Sequence, residues 1–187
     1  DIVMSKIRSP ILAKAFFSMP SWLLPKRIRP VVSLLKKSDF QKTFFNTQTE
    51  KNSVNSIAWK KAEIPAANGF ASAKGISRFY SVLIDLNDNS FIKRETLEQA
   101  IKVHSSGPDT VLLNLPIKFG LGFMIENPYS PLGQNPDLFG HSGVGGSVGF
   151  ADKKRGIGFG FVKNYMHPPG KLFKSANDLT KLFYSIL

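Results

Sequence analysis

At 187 residues with 42% apolar side chains, the chain has enough material for one well-filled core, and this composition fits a globular protein rather than a disordered one. It has no cysteine, which excludes a disulfide framework, a thiolate metal site and a cysteine nucleophile. The net charge of +12 invites an acidic partner, but nine basic side chains fall within residues 1–48 against only Asp1 and Asp39, so more than half of the excess belongs to the first quarter of the chain.

Residues 1–45 are basic, aromatic and punctuated by Pro10, Pro20, Pro25 and Pro30, which limits them to two or three short helices between the prolines. Ala15 to Pro25 is bracketed by Lys14 and Lys26 and broken by Pro20, short of the ~18 apolar residues that a membrane-spanning helix needs. Phe16, Phe17, Trp22, Leu23 and Leu24 among Lys14, Lys26, Arg27 and Arg29 nevertheless suit peripheral contact between residues 14–29 and an anionic membrane surface. The competing reading has these aromatics covering a core or cleft while the cations stay solvated.

Residues 46–56, with Asn46, Asn52, Ser53, Asn55 and Ser56, read as a polar loop, and a compact domain is expected over residues 57–187. Ile76, Phe79, Tyr80 and Leu83 recur at helical spacing and predict a helix from Ser72 to Leu86 that Asn87-Asp88-Asn89 ends. Leu97, Ala100, Ile101 and His104 predict a second helix from Arg94 to His104, closed by Ser105-Ser106-Gly107-Pro108. Phe119 to Glu126, Val144 to Ala151 and Gly156 to Val162 alternate glycine with large apolar residues, as strands do when one face is crowded and the other closely approached. Asp152-Lys153-Lys154-Arg155 joins the last two as an antiparallel hairpin. A final helix follows, with Ser175 and Asp178 as a capping-box start and Leu179, Leu182, Phe183, Ile186 and Leu187 as its apolar stripe. Helices followed by antiparallel strands and a closing helix make the fold class α+β, an antiparallel sheet packed with helices.

Four stretches resemble the serine β-lactamase-related family, which includes class C β-lactamases, penicillin-binding proteins and β-lactamase-like esterases. Glu63-Ile64-Pro65-Ala66-Ala67-Asn68-Gly69 with Ser77-Arg78-Phe79-Tyr80 is similar to that family's proline and asparagine-glycine loop and the helix after it. Phe119-Gly120-Leu121-Gly122-Phe123 is similar to its strand entering the active-site edge of the sheet, Phe139-Gly140-His141-Ser142-Gly143-Val144-Gly145-Gly146-Ser147 to its "FGHSGxGGS", and Gly156 to Asn164 to the next strand. The resemblance covers Lys61 to the C-terminus and implies the C-terminal part of a β-lactamase/transpeptidase-like fold, an incomplete domain in which residues 1–45 form an insertion. A sequence that opens on Asp1 fits that expectation.

In the family a Lys-Thr-Gly or His-Ser-Gly triplet lies on the edge strand beside the nucleophile, so the resemblance implies a substrate-binding wall of His141, Ser142, Gly143 and Val144. His141 can bias the local field, the Ser142 hydroxyl can donate to a substrate carboxylate or carbonyl, and Gly143 lacks the Cβ that would block substrate backbone. The Val144 N–H would form half of an oxyanion hole, a donor worth roughly 3 kcal/mol of barrier. The family's nucleophile sits in Ser-x-x-Lys with a Tyr-x-Asn or Tyr-x-Ser partner, both upstream of the matched segment. Ser33-Leu34-Leu35-Lys36 lies too close to the Glu63 loop, Ser90-Phe91-Ile92-Lys93 falls between two helices, and Tyr129-Ser130-Pro131 falls between strands. No catalytic residue is therefore assigned in this chain, and the chain alone is expected to be inactive. The intact parent is expected to hydrolyse an ester, amide or peptide bond of a small-molecule or peptide substrate through an acyl-enzyme; the rival is a non-catalytic binding or scaffold protein that keeps the fold.

No cofactor, metal or nucleic acid is expected. The three histidines, His104 at a helix end, His141 and His167 before Pro168, share no ligand spacing. Gly143-Val144-Gly145 lacks the third glycine of a dinucleotide fingerprint, and Arg155-Gly156-Ile157-Gly158-Phe159 puts Ile157 where an RNA-recognition strand needs a stacking aromatic.

Overall fold

A computed structural model describes residues 18–26, 29–37, 56–85, 91–125, 132, 135, 137–143, 145–165, 167, 171 and 173–187. The chain divides into two compact units: residues up to Gly69 together with Gly107–Pro116, and Phe70–Ser106 together with Ile117–Leu187. The expected loop over 46–56 lies outside the described residues except for Ser56.

In the first unit the prolines limit helices to short pieces. A 3-10 turn at Ser21–Leu23 precedes helix α1 (Arg29–Lys37), and Arg29 clamps the two by donating from Nε to the Leu24 carbonyl at 2.8 Å and from Nη2 to the Trp22 carbonyl at 2.7 Å. Leu24 and Val32 are buried, whereas Trp22 and Leu23 are exposed. Helix α2 (Ile57–Lys61) starts at Ser56, whose hydroxyl accepts from the Trp59 N–H, one of the orphan donors of the first turn. Asn68 holds the following loop: its Oδ1 accepts from Ile64 N–H at 3.1 Å and its Nδ2 donates to the carbonyls of Trp59 and Ala62. Strands β1 (Pro108–Asp109) and β2 (Leu115–Pro116) pair antiparallel around a turn in which Asp109 Oδ1 accepts from the N–H groups of Val111 and Leu112.

The second unit carries the main sheet. Helix α3 (Ala73–Ile84), N-capped by Ser72, buries Tyr80 and Leu83 as the periodicity predicts, but Phe79 stays 42% exposed, edge-to-face with Phe91 at 5.8 Å. Helix α4 (Arg94–Ala100) buries Leu97 and Ala100 and stops earlier than expected, because from His104 the backbone bonds to Phe119 and leaves the helix for the sheet. The sheet contains β3 (Lys118–Phe119), β4 (Met124–Ile125), β5 (Leu138–Ser142), β6 (Val148–Asp152) and β7 (Ile157–Phe161), in that order and antiparallel throughout. This is the α+β architecture expected from the sequence.

The strand expected over Phe119 to Glu126 is instead a hairpin. Gly120 N–H donates to the Phe123 carbonyl, and Gly122, at φ +82, takes the left-handed conformation that turns the chain. The strand expected over Val144 to Ala151 begins only at Val148, after a turn closed by Gly143 N–H on the Ser147 carbonyl at 2.9 Å.

Helix α3 covers one face of the sheet, packed to backbone contact on β7. A Cβ at Gly158 would sit 2.4 Å from the Ser77 carbonyl oxygen, and the Ser77 hydroxyl donates to the Gly158 carbonyl at 2.8 Å. Tyr80, Leu83, Leu97, Ile125, Phe139 and Ala151 form the core on this side. Helix α5 (Lys174–Ser185) covers the other face, where Tyr184 stacks on Phe150 and Phe183 packs on Phe159. The expected capping box is absent: the Ser175 hydroxyl pairs with His167 Nε2 at 2.9 Å, and Asp178 binds the Lys174 ammonium. The expected stripe is also rotated, since Ala176 and Thr180 are buried while Leu182, Ile186 and Leu187 are exposed. Among the described residues no helix is long and apolar enough to cross a membrane.

Candidate active site

The His141-Ser142-Gly143 triplet forms the end of β5 and the turn after it. The resemblance implied an edge strand, yet β5 lies between β4 and β6. The local geometry reconciles the two in part: pairing with β4 stops at Gly140, whereas pairing with β6 continues through His141↔Gly149 and Ser142↔Val148. His141 and Ser142 thus extend past the end of β4.

Alternation along β5 sends the two side chains to opposite faces. His141, in register with Gly149 and through it Gly160, lies on the face that α3 covers and is exposed. Ser142 is 7% exposed on the α5 face, where its hydroxyl donates to Met124 Sδ at 3.7 Å. That hydroxyl, expected to meet a substrate carboxylate or carbonyl, is turned inward because the residue beside an outward His141 must point the other way. Gly143 is exposed beyond the strand end. Val144 lies outside the described residues.

Nδ1 of His141 is 2.9 Å from the Ser142 carbonyl oxygen, and the imidazole lies 6.1 Å from the Phe119 ring. Although part of the residue is exposed, packing of the ring against these neighbours strips water from it and lowers the His141 pKa, opposed in part by the hydrogen bond to Ser142. Beneath it, the Tyr80 hydroxyl shares a hydrogen bond with the His141 backbone; burial pushes this phenol up to about 12, so it is uncharged at neutral pH. Phe119 and Tyr80 are the site neighbours that sequence reasoning missed. Each occurs within a matched stretch, and the signal available was their place beside the triplet's strand, visible only once the hairpin at Gly122 is recognised.

Ser33 and Lys36 lie on α1, where Lys36 donates its ammonium to the Met19 carbonyl. Ser90 and Tyr129 to Pro131 fall outside the described residues. His104 Nε2 donates to the Gln99 carbonyl at 2.8 Å, the helix-end role expected of it, and His167 is held by Ser175. Among the described residues no group of His, Asp or Glu is arranged to hold a metal ion.

Comparison with known proteins places the chain in a family. The profile described as Beta-lactamase matches residues 24–181. The chain belongs to the Beta-lactamase family. It is 35% identical over 112 residues to the esterase/beta-lactamase LipL of Mycobacterium tuberculosis, an alignment covering 58% of this chain and 25% of LipL. Among solved structures, a novel penicillin-binding protein homolog from Caulobacter crescentus aligns with a TM-score of 0.67 and 30% identity, over 79% of this chain and 40% of that one. A family VIII carboxylesterase aligns with a TM-score of 0.54 and 32% identity, over 67% and 36%. The β-lactamase/transpeptidase-like fold read from the four stretches is therefore the fold of this Beta-lactamase family member, and the chain spans about a quarter of LipL and under half of either structural relative.

Proposed function

We propose that this chain supplies one wall of the active site of a β-lactamase-related serine hydrolase that, in the intact parent, cleaves an ester, amide or peptide bond of a small-molecule or peptide substrate through an acyl-enzyme. The observation that carries the reading is the end of β5: His141 and Gly143 are exposed past the last residue paired with β4, and buried Ser142 pins the strand beneath them. His141 and Gly143 face the substrate in this reading, the Val144 N–H serves as an oxyanion donor, and Ser142 positions its neighbours through its carbonyl and its contact with Met124. In this reading the nucleophile comes from outside this chain: the Ser-x-x-Lys string on α1 lies close before the Glu63 loop, and its Lys36 holds the Met19 carbonyl.

The same engagement favours the second reading, a non-catalytic protein that keeps the fold. Turnover of 4-nitrophenyl acetate tests both. The 187-residue chain and its Ser33→Ala variant are expected to be equally inactive, and a polypeptide extended upstream to include an in-frame Ser-x-x-Lys and Tyr-x-Asn is expected to acquire activity that His141→Ala reduces. Turnover by the chain itself, abolished by Ser33→Ala, would overturn the assignment of the nucleophile; an extended polypeptide that stays inactive supports the scaffold. A further partner, an anionic membrane surface, is favoured by Trp22 and Leu23, which are 70% and 51% exposed beside Lys26.

A further inference from the structure

Past the last residue paired with β4, the backbone of His141 has β6 as its one neighbouring strand. A strand end held from one side needs a second anchor to keep one position. The Tyr80 phenol supplies it through a hydrogen bond to the His141 backbone. Burial raises the Tyr80 pKa and this bond opposes the rise, which identifies the His141 N–H as the donor and the phenol oxygen as the acceptor. The route to that contact is built into the sheet. Gly149, in register with His141, has no side chain, and a Cβ there would lie 2.4 Å from Ile76 Cγ2 and 2.5 Å from Tyr80 Cε2. The Tyr80 ring fills this gap, with edge contacts to Phe79, Phe123 and Phe139 at centroid distances of 5.2, 6.4 and 6.3 Å. All three neighbours are hydrocarbon, so a phenylalanine would fill the same space, and what the tyrosine adds is an oxygen that meets His141.

Resting on the reading that the end of β5 borders the substrate cleft, we propose that Tyr80 is a positioning residue of that cleft: its phenol oxygen holds the His141 backbone and so sets where the imidazole and Gly143 stand toward substrate. Buried beneath the wall, the phenol acts through His141 rather than on substrate. The effect is geometric. A wall group displaced by about 1 Å loses its alignment with a reacting carbonyl, a displacement that can cost about a hundredfold in rate.

Tyr80→Phe keeps the ring and removes only the oxygen, and the test compares this variant with the unmodified 187-residue chain by NMR. Exchange of the His141 amide is expected to quicken about tenfold or more, while the Phe150 and Ala151 amides of β6 keep their rates. The midpoint of the His141 imidazole is expected to rise toward 6.5 as the ring regains water. Phenyl acetate is expected to shift the Gly143 amide of both forms, with a half-saturation about threefold or more higher in the variant. Faster exchange spread evenly over all three amides, with the midpoint and the half-saturation unmoved, would show a contribution to stability alone and overturn the role. Equal half-saturation in the two forms overturns it as well and leaves the cleft reading standing. A Gly143 amide that phenyl acetate moves in neither form overturns the cleft reading itself, and the positioning role falls with it.

Discussion

The phenol of Tyr184 donates to Oδ2 of Asp152 at 2.9 Å, tying the closing helix to the fully buried last residue of β6. The same carboxylate accepts from the Arg155 N–H and from Arg155 Nη1, each at 3.0 Å, so one side chain organises the β6–β7 hairpin and the helix packed on it. Burial, and then Asp152 itself, raise the Tyr184 pKa, which keeps the phenol a donor. Tyr184→Phe removes one charge-assisted hydrogen bond and is expected to lower the unfolding free energy by about 2 kcal/mol. Asp152→Ala strips three donors of their acceptor and is expected to cost more, on the order of 3 kcal/mol. Urea unfolding of the two variants checks this; a Tyr184→Phe change under about 0.5 kcal/mol would mean that water already serves the carboxylate.

Gly158 is where α3 and the sheet come closest. An added Cβ would lie 2.3 Å from Ser81 Oγ and 2.4 Å from the Ser77 carbonyl oxygen, which is backbone and can yield only if the helix moves. Gly158→Ala is expected to destabilise by about 1–3 kcal/mol through overpacking. Because Tyr80 on the same helix bonds to the His141 backbone, the displacement should also shift the His141 and Gly143 amide resonances. Loss of stability with those two resonances unmoved would uncouple the helix from the wall.

How much of this was legible in sequence depended on whether one period decided the question. The stripe of Ile76, Tyr80 and Leu83 has helical spacing and no competing turn signal, so α3 was readable almost to its ends. Glycine alternating with large apolar residues fits a strand and a tight hairpin equally, and at Gly122 the second holds. In α5 the large residues at 179, 182 and 186 outweighed the small ones, yet a helix lying on the Phe150 and Phe159 rings needs small residues beneath it, and Ala176 with Thr180 supply that face. The triplet itself was recognisable. Which of its side chains faces outward was not, because a shift of one residue in strand register exchanges the faces of His141 and Ser142.

The His141 ring carries a pH signature whose sign follows from burial. Its folded pKa lies below 6.5, so the native state resists protonation that the unfolded chain accepts. The group then costs nothing above the unfolded value, and it destabilises progressively as pH falls through 6.5 toward the folded pKa. An NMR titration of the imidazole is expected to give a midpoint below 6.5 in the folded chain, and His141→Gln should flatten that part of the stability profile. A native midpoint at or above 6.5 would mean that the hydrogen bond to Ser142 outweighs the loss of solvent around the ring.

Trp22 and Leu23 sit together on the 3-10 turn, 70% and 51% exposed, and Arg29 ties the turn to α1 through the carbonyls of Trp22 and Leu24. A fixed pair of exposed apolar side chains beside a cation needs little ordering on contact with a lipid surface, so most of the burial energy appears as binding. Co-sedimentation with vesicles containing phosphatidylserine is expected at low salt and should weaken as salt screens the basic segment. Trp22→Ala or Leu23→Ala removes a contact worth on the order of 1–2 kcal/mol, which corresponds to roughly tenfold weaker association. Sedimentation that stays at background at low salt would remove the membrane as a partner.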